Sequence, residues 1–313
     1  MSKSSKVLLF GKHGQVGHEL QSTLQALGEV IALDVDSTEG CGDFSRPDDV
    51  VATVRRIKPN IIINAAAYTA VDKAESEPEL ARIINATTPG TLAVEAEKLG
   101  AWFVHYSTDY VFDGSGDVPW QETDIPAPLN IYGKTKLEGE QLIAKACKRH
   151  LIIRTSWVYG AHGNNFAKTM LRLAQERDSL AVVDDQVGAP TSARLLAGLT
   201  VNMLQKAIQK ESLTGQSLAG LYHAVAAGEV SWHGYAKYVI AHARLSGSQI
   251  KVLDSDIKSV SSDLFPTPAK RPHNSRLSTL KLQQAFDIKL PEWQTGVTEM
   301  LDQLLMGNCN DKA

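Results

Sequence analysis

Apolar residues in this chain follow two alternating rhythms. Short unbroken runs, at Val7 to Phe10, "EVIALD", "NIIINAAA", "AWFVHYS" and "LIIRTS", have the length and β-branched content of strands buried on both faces. Between them lie segments whose apolar positions recur three and four residues apart. In "QVGHELQSTLQALG" Val16, Leu20, Leu24 and Leu27 fall on one helical face, and Gly28 closes the segment. "DDVVATVRRIKP", "ELARIINATTPGTLAVEAEKLG" and "NIYGKTKLEGEQLIAKACKR" repeat the helical rhythm, the second with an interruption expected near Pro89. Strands and amphipathic helices alternating at this density predict an α/β fold, a doubly wound parallel sheet with helices on both faces.

The rhythm loosens from about Gly160. Helices are expected at "NNFAKTMLRLAQER", "SARLLAGLTVNMLQKAIQK", "SWHGYAKYVIAHARL" and Trp293 to Leu305, with short strands at "LAVVDD" and "GLYHAVA". This reads as a smaller C-terminal lobe, parts of which return to the main sheet. The closing "GNCNDKA" reads as a frayed tail.

With 313 residues, 43% of them hydrophobic and 21% charged, the chain can bury a sizeable core. Its formal net charge of -3 and lack of a long cationic run argue against a nucleic-acid partner. Cys41, Cys147 and Cys309 are far apart with no C-x-x-C spacing, so neither a zinc site nor a disulfide framework is expected. The apolar run near the N-terminus is too short for a signal peptide or a membrane span. The expectation is a cytoplasmic protein with no membrane partner.

Three glycines, Gly11, Gly14 and Gly17, separate the first strand from the first helix. In that position glycine permits a tight turn and close approach of a pyrophosphate to the helix N-terminus. The same spacing also serves an ordinary β-α turn. Asp34 favours the first reading, because it closes the second strand 20 residues after Gly14, where a carboxylate can accept from the adenosine ribose. Such an acid tilts the choice toward NAD over NADP. Asp43 and Phe44 follow as candidates to hold and cover an adenine, and the alanines after Asn64 leave room for a flat cofactor. The first domain then spans residues 1–159, mainly a Rossmann-type NAD(P)-binding unit, and residues 160–313 form mainly a substrate-binding lobe.

"STDYVF" places Ser107, Thr108 and Asp109 at the carboxyl end of the fourth strand, where open α/β sheets bind ligands. "YGKTK" sets Tyr132 and Lys136 one turn apart on one helix face. A neighbouring ammonium favours the phenolate and draws tyrosine toward acid-base use near neutrality.

With "LLFGKHGQVGHEL", "HYSTDYVFDG", "PLNIYGKTKLEGE", "RTSWVYG", "DDQVGAPT" and "TPAKRPHNSRL" in view, the chain resembles, over nearly its whole length, the extended short-chain dehydrogenase/reductase family. Within that family it is most similar to the branch that reduces dTDP-linked 4-ketosugars. The resemblance implies NADPH- or NADH-dependent reduction of the 4-keto group of dTDP-4-dehydro-L-rhamnose in cell-surface polysaccharide synthesis. It implies cofactor contacts at Gly14, Gln15 and Val16 around the pyrophosphate, Asp34 at the ribose, Asp43 and Phe44 near the adenine, and Ala67, Tyr68 and Thr69 beside the remaining dinucleotide. It further implies a catalytic set of Thr108, Tyr132 and Lys136, and substrate contacts at Asp109 and Trp157.

In this reading Thr108 and Ser107 donate toward the carbonyl oxygen, Tyr132 supplies the proton, and Lys136 lowers the phenol pKa and holds ribose hydroxyls. Arg271 in "KRPHN" is the candidate for the substrate diphosphate, with a salt bridge between lobes as the competing use. The histidines form no ligand-like cluster, and His13, His105, His223 and His233 read as solvent or core residues. Some relatives dimerise around Mg²⁺ held partly by a glutamate after "GAPT". Here Arg194 stands at that position and cannot ligate a metal, which speaks against a metal-bridged dimer but leaves a homodimer through other contacts open. Two other readings keep the same fold: a nucleotide-sugar epimerase or another ketosugar reductase, and a non-catalytic nucleotide-binding subunit, which would need neither Tyr132 nor Lys136.

Overall fold

The computed structural model describes residues 5–310. Five parallel strands come from the first half of the chain: β1 (Lys6–Phe10), β2 (Glu29–Leu33), β3 (Ile61–Asn64), β4 (Trp102–Thr108) and β5 (His150–Thr155). A sixth, Gly220–His223, comes back from the C-terminal half and pairs parallel with β5. The spatial order is Gly220–His223, β5, β4, β3, β1, β2. Strand order reverses between β3 and β1, so a crevice opens at their carboxyl ends, and the glycine turn, Asn64 and Thr108 all lie at that end of their strands.

Each strand's alternate residues feed opposite layers, which is why the strand runs are apolar throughout. Val7, Leu9, Ile61, Ile63, Val104 and Leu151 pack with Leu20 and Leu24 on one face, joined by Leu196, Met203 and Leu204 of the long helix Ala193–Thr214. Leu8, Phe10, Ile62, Phe103 and Ile152 pack on the other face with Val50 and Val54 of α2 (Pro47–Ile57) and with Leu92 and Ile143.

The remaining C-terminal elements build a separate apolar cluster around Tyr235, Val239, Ile240, Val297 and Leu301. Leu180–Val183 pairs there with Ile257–Val260. This partner strand, half exposed and polar at two of its four positions, lacked a continuous apolar run, and the helix Leu280–Phe286, buried through Leu282 and Phe286, was not expected. The last helix runs to Asn310, where the sequence suggested fraying from Gly307. Residues 311–313 of that expected tail lie outside the described residues.

The interruption expected near Pro89 takes a specific form. Pro78–Arg82 is α-helical, Ile83–Thr87 is a π turn, and Thr88–Leu99 resumes the α-helix with Pro89 in its first turn. Widening the turn accommodates a residue that lacks an N–H without ending the helix. It also presents Asn85, whose Oδ1 accepts the Tyr68 N–H at 2.8 Å and whose Nδ2 donates to the Tyr68 carbonyl at 3.2 Å. One buried side chain thus fixes the loop that follows β3.

The glycine turn is a backbone-on-backbone contact. Gly11 has φ +84°, and a Cβ on Gly17 would lie 1.8 Å from the Gly11 carbonyl oxygen. Gly14 has ordinary extended angles and precedes α1 (Gln15–Thr23) as its N-cap; a Cβ there would come no closer than 3.4 Å to the surrounding chain. Gly17→Ala is therefore expected to cost about 1–3 kcal/mol or more through overpacking. Gly14→Ala should leave thermal stability nearly unchanged. Melting curves of the two variants check this, and equal losses would contradict it.

Candidate active site

Eleven of the residues expected at a dinucleotide line one cleft of about 550 Å³: Gly11, Gly14, Gln15, Val16, Asp34, Asp43, Phe44, Ala67, Thr69, Tyr132 and Lys136. Gly17 is buried under the turn. Tyr68 is directed elsewhere, its hydroxyl donating to Glu77 at 2.6 Å. No side chain caps α1, so its first-turn N–H groups are free to meet an anion. Asp34 accepts the His13 N–H at 3.0 Å and the Val35 N–H at 2.9 Å, which leaves lone pairs for hydroxyl donors. Phe44 is buried edge-on against Phe10, and Asp43 is engaged by the N–H and hydroxyl of Ser45. The shape and donors fit a dinucleotide.

A second cleft of about 730 Å³ opens toward the C-terminal lobe, walled by Phe166, Met170, Trp232 and Phe265 and edged by Lys270, Arg271 and His273. Tyr110 lines it too, and its ring meets the Tyr132 ring edge-on at 5.7 Å. The two clefts adjoin at this pair.

The aromatic wall is Trp232, and the expected Trp157 stacks behind it at 3.6 Å between ring centroids. Trp157 has φ +49°, a costly left-handed conformation for a bulky residue. Trp232 carried no expectation from sequence; it opens a helix, and only the three-dimensional packing turns it toward the cleft. Arg271 lines the cleft but spends its guanidinium on Asp72, at 2.7 and 3.2 Å. The competing salt-bridge use is thus present, and Lys270 is the neighbouring cation. Arg194 lines a small pocket with Glu19 and Glu299. Among the described residues no three His, Cys, Asp or Glu side chains are grouped to hold a metal.

Thr108 and Asp109 are buried at the end of β4. The Thr108 hydroxyl donates to Asp109 Oδ1 at 3.1 Å, and Ser275 donates to Oδ2 at 2.5 Å. Burial pushes the Asp109 carboxyl up to about 6, against the lowering effect of these hydroxyls. Burial likewise raises the Tyr132 phenol to about 12; a hydrogen bond with Thr108 lowers it, and the Asp109 charge adds to the rise.

Lys136, expected to favour the phenolate, stands one turn after Tyr132 and is buried. Its amine is turned to the Tyr106 carbonyl at 2.5 Å and to His105 Nε2 at 3.2 Å. Beneath Ser107 lies a pair that the sequence reading missed. Arg154 and Glu140, both buried, meet through Nε to Oε1 at 2.9 Å and Nη2 to Oε2 at 2.6 Å, and the Ser107 hydroxyl donates to Glu140 Oε1. The signal was available, since Tyr132, Lys136 and Glu140 stand four apart on one helix.

A glycine turn before an uncapped helix, a dinucleotide-sized cleft at a topological switch point, and a Tyr–Lys helix at the mouth of a second cleft define an NAD(P)(H)-dependent oxidoreductase of the extended short-chain dehydrogenase/reductase type. Residues 5–306 match the family described as RmlD substrate binding domain. Over 298 residues the chain is 56% identical to the dTDP-4-dehydrorhamnose reductase of Escherichia coli K12, covering 95% of this chain and 97% of that one. Two solved structures of such reductases superpose with a TM-score of 0.82, each covering 96% of this chain and 99% of its own. One, from Clostridium acetobutylicum, is 40% identical, and the other, from Bacillus anthracis in complex with NADP, is 35% identical. The chain belongs to the dTDP-4-dehydrorhamnose reductase family.

Asp109 supplies a test of the site's electrostatics. A carboxyl whose folded pKa lies near 6, above its ordinary value near 4, favours folding fully below about pH 4 and loses that contribution as pH rises through 6. Asp109→Asn does not titrate. Its stability relative to the parent should therefore rise by about 2 kcal/mol between pH 4 and pH 7, most of the two pKa units at about 1.4 kcal/mol each. Denaturant unfolding at the two pH values checks it, and a difference independent of pH would contradict the assignment.

Proposed function

We propose that Tyr132 is the proton donor in the NAD(P)H-dependent reduction of the 4-keto group of dTDP-4-dehydro-L-rhamnose to dTDP-L-rhamnose, with Thr108 holding the carbonyl oxygen and Lys136 serving the cofactor ribose and the phenol. The observation that carries the assignment is the position of Tyr132, which lines the dinucleotide cleft while its ring abuts Tyr110 of the second cleft. A proton donor must reach both reactants, and Tyr132 stands where the clefts adjoin.

NAD(P)H supplies the hydride. Residues 1–159 hold it mainly: the α1 N-terminus and Gly11 to Val16 at the pyrophosphate, Asp34 at the adenosine ribose, Asp43 and Phe44 at the adenine. Asp34 favours a ribose without a 2′-phosphate, but Lys12 and Ser37, 3.1 Å apart beside it, offer compensating donors, so both reduced cofactors are accommodated. In the C-terminal lobe Trp232 and Phe166 cover the apolar faces of the substrate, and Lys270 and Arg271 provide positive charge for its diphosphate. Thr108 donates to the ketone oxygen, Tyr132 gives up its proton as negative charge develops there, and the product carries a hydroxyl at C4. A non-catalytic nucleotide-binding subunit would have no use for a half-buried tyrosine and a buried lysine one turn apart at such a junction.

Tyr132→Phe keeps the ring and removes the proton. Cofactor affinity should stay within about twofold, while single-turnover hydride transfer falls by roughly 10²- to 10⁴-fold. Lys136→Ala should lose cofactor affinity as well as rate. Hydride transfer by Tyr132→Phe near the parent rate would overturn the assignment.

A further inference from the structure

The hydrogen bonds behind Lys136 determine where its protons are. Asn64 Oδ1 accepts the Ala66 N–H at 3.0 Å, so the amide nitrogen is the atom turned toward His105, with Nδ2 to Nδ1 at 2.9 Å. That nitrogen only donates, so His105 Nδ1 must accept, and the proton of the neutral ring sits on Nε2. Nε2 in turn faces Lys136 Nζ at 3.2 Å. An ammonium has three donors and no acceptor, so N–H would point at N–H. An uncharged amine resolves the conflict: its lone pair takes the His105 proton while one of its own hydrogens goes to the Tyr106 carbonyl.

We infer that His105 is a positioning residue that favours the uncharged form of the Lys136 amine, and that the uncharged fraction takes up its proton from the medium when NAD(P)H binds. This rests on the reading above that Lys136 serves the cofactor ribose. On binding, ribose hydroxyls offer acceptors that His105 does not, and the anionic pyrophosphate favours a cation. Lys136 leaves His105, becomes an ammonium and turns its charge toward Tyr132. Where the amine is uncharged, the positive charge is thus created when there is a cofactor to use it, and the buried interior is spared an unpaired ammonium.

The surroundings agree from every side. On β4, His105 is fully buried, and that burial holds it well below the usual histidine range, which excludes a doubly protonated ring. On the helix Ile131–Ala146, Tyr132 lies one turn before Lys136 and Glu140 one turn after. Glu140 favours the ammonium, but Arg154 of β5 and Ser107 already occupy its oxygens. From β3 comes only the neutral amide of Asn64. Burial brings the Lys136 amine down to about 8, with Glu140 opposing.

Calorimetric titration of the full chain with NADH, in pairs of buffers differing in ionisation enthalpy, measures the proton directly. NADH is the probe because it lacks a titrating 2′-phosphate. Uptake should approach about one proton per NADH at pH 9 and fall to about a tenth at pH 7, while the dissociation constant rises toward tenfold per pH unit above 8. His105→Phe removes the Nε2 donor and should cut uptake at pH 9 by at least about half, because the amine is then already charged. His105→Gln can present an N–H₂ to Lys136 and a carbonyl to Asn64, and should restore it. Absence of uptake at pH 9 in the parent, or the same uptake in His105→Phe, overturns the inference; if His105→Phe does not fold, the parent and His105→Gln still decide. NADH that binds with no proton uptake in the binding step, and is afterwards oxidised by the ketosugar, sinks this inference alone, whereas failure of NADH to bind sinks the functional reading.

Discussion

The Glu140–Arg154 ion pair holds the chemistry of this molecule in place. It ties the middle of the Ile131–Ala146 helix to β5, and through the Ser107 hydroxyl it reaches the end of β4. Lys136 and Tyr132 extend from the same helix, one and two turns earlier. A buried pair of this kind is a poor source of net stability compared with apolar packing, and breaking one partner costs about 3–5 kcal/mol. Its value lies in geometry, because charge-assisted bonds in a dry interior tolerate little misalignment. The register of Tyr132 against Thr108 is set accordingly from below.

Above that anchor, the site is assembled from segments far apart in sequence. Asp72 reaches Arg271 across 199 positions and Asp109 reaches Ser275 across 166, so the "KRPHNS" loop is clamped to the first domain at two points. The π turn at Ile83–Thr87 fixes the loop after β3 through Asn85. Each of these contacts immobilises a wall of a cleft before any substrate arrives, which is how binding energy is conserved for orientation.

The sheet, its helices and the dinucleotide cleft were legible because they rest on local patterns: continuous apolar strands, helical periodicity and glycines at a strand-helix junction. Trp157 was named and Trp232, stacked on it and lining the second cleft, was not, since a one-dimensional pattern does not show which of two stacked indoles faces the cleft. Arg271 could be named as a cation of the substrate lobe, but its Asp72 partner could not. The partner that Lys136 takes beside Tyr132 was hidden for a related reason. Spacing places the two on one face, but the competing partner of the amine comes from β4, where the β3–β4 register sets His105 opposite Asn64. His105 read as a solvent or core residue; it is in the core and hydrogen-bonded to the lysine.

The account stands most directly on the stoichiometry of one reaction. With dTDP-4-dehydro-L-rhamnose supplied and the sugar product identified, each molecule of dTDP-L-rhamnose formed should consume one NADH or NADPH. A sugar isomerised with no net change in cofactor, as an epimerase would leave it, or a cofactor bound and never oxidised, would contradict the account.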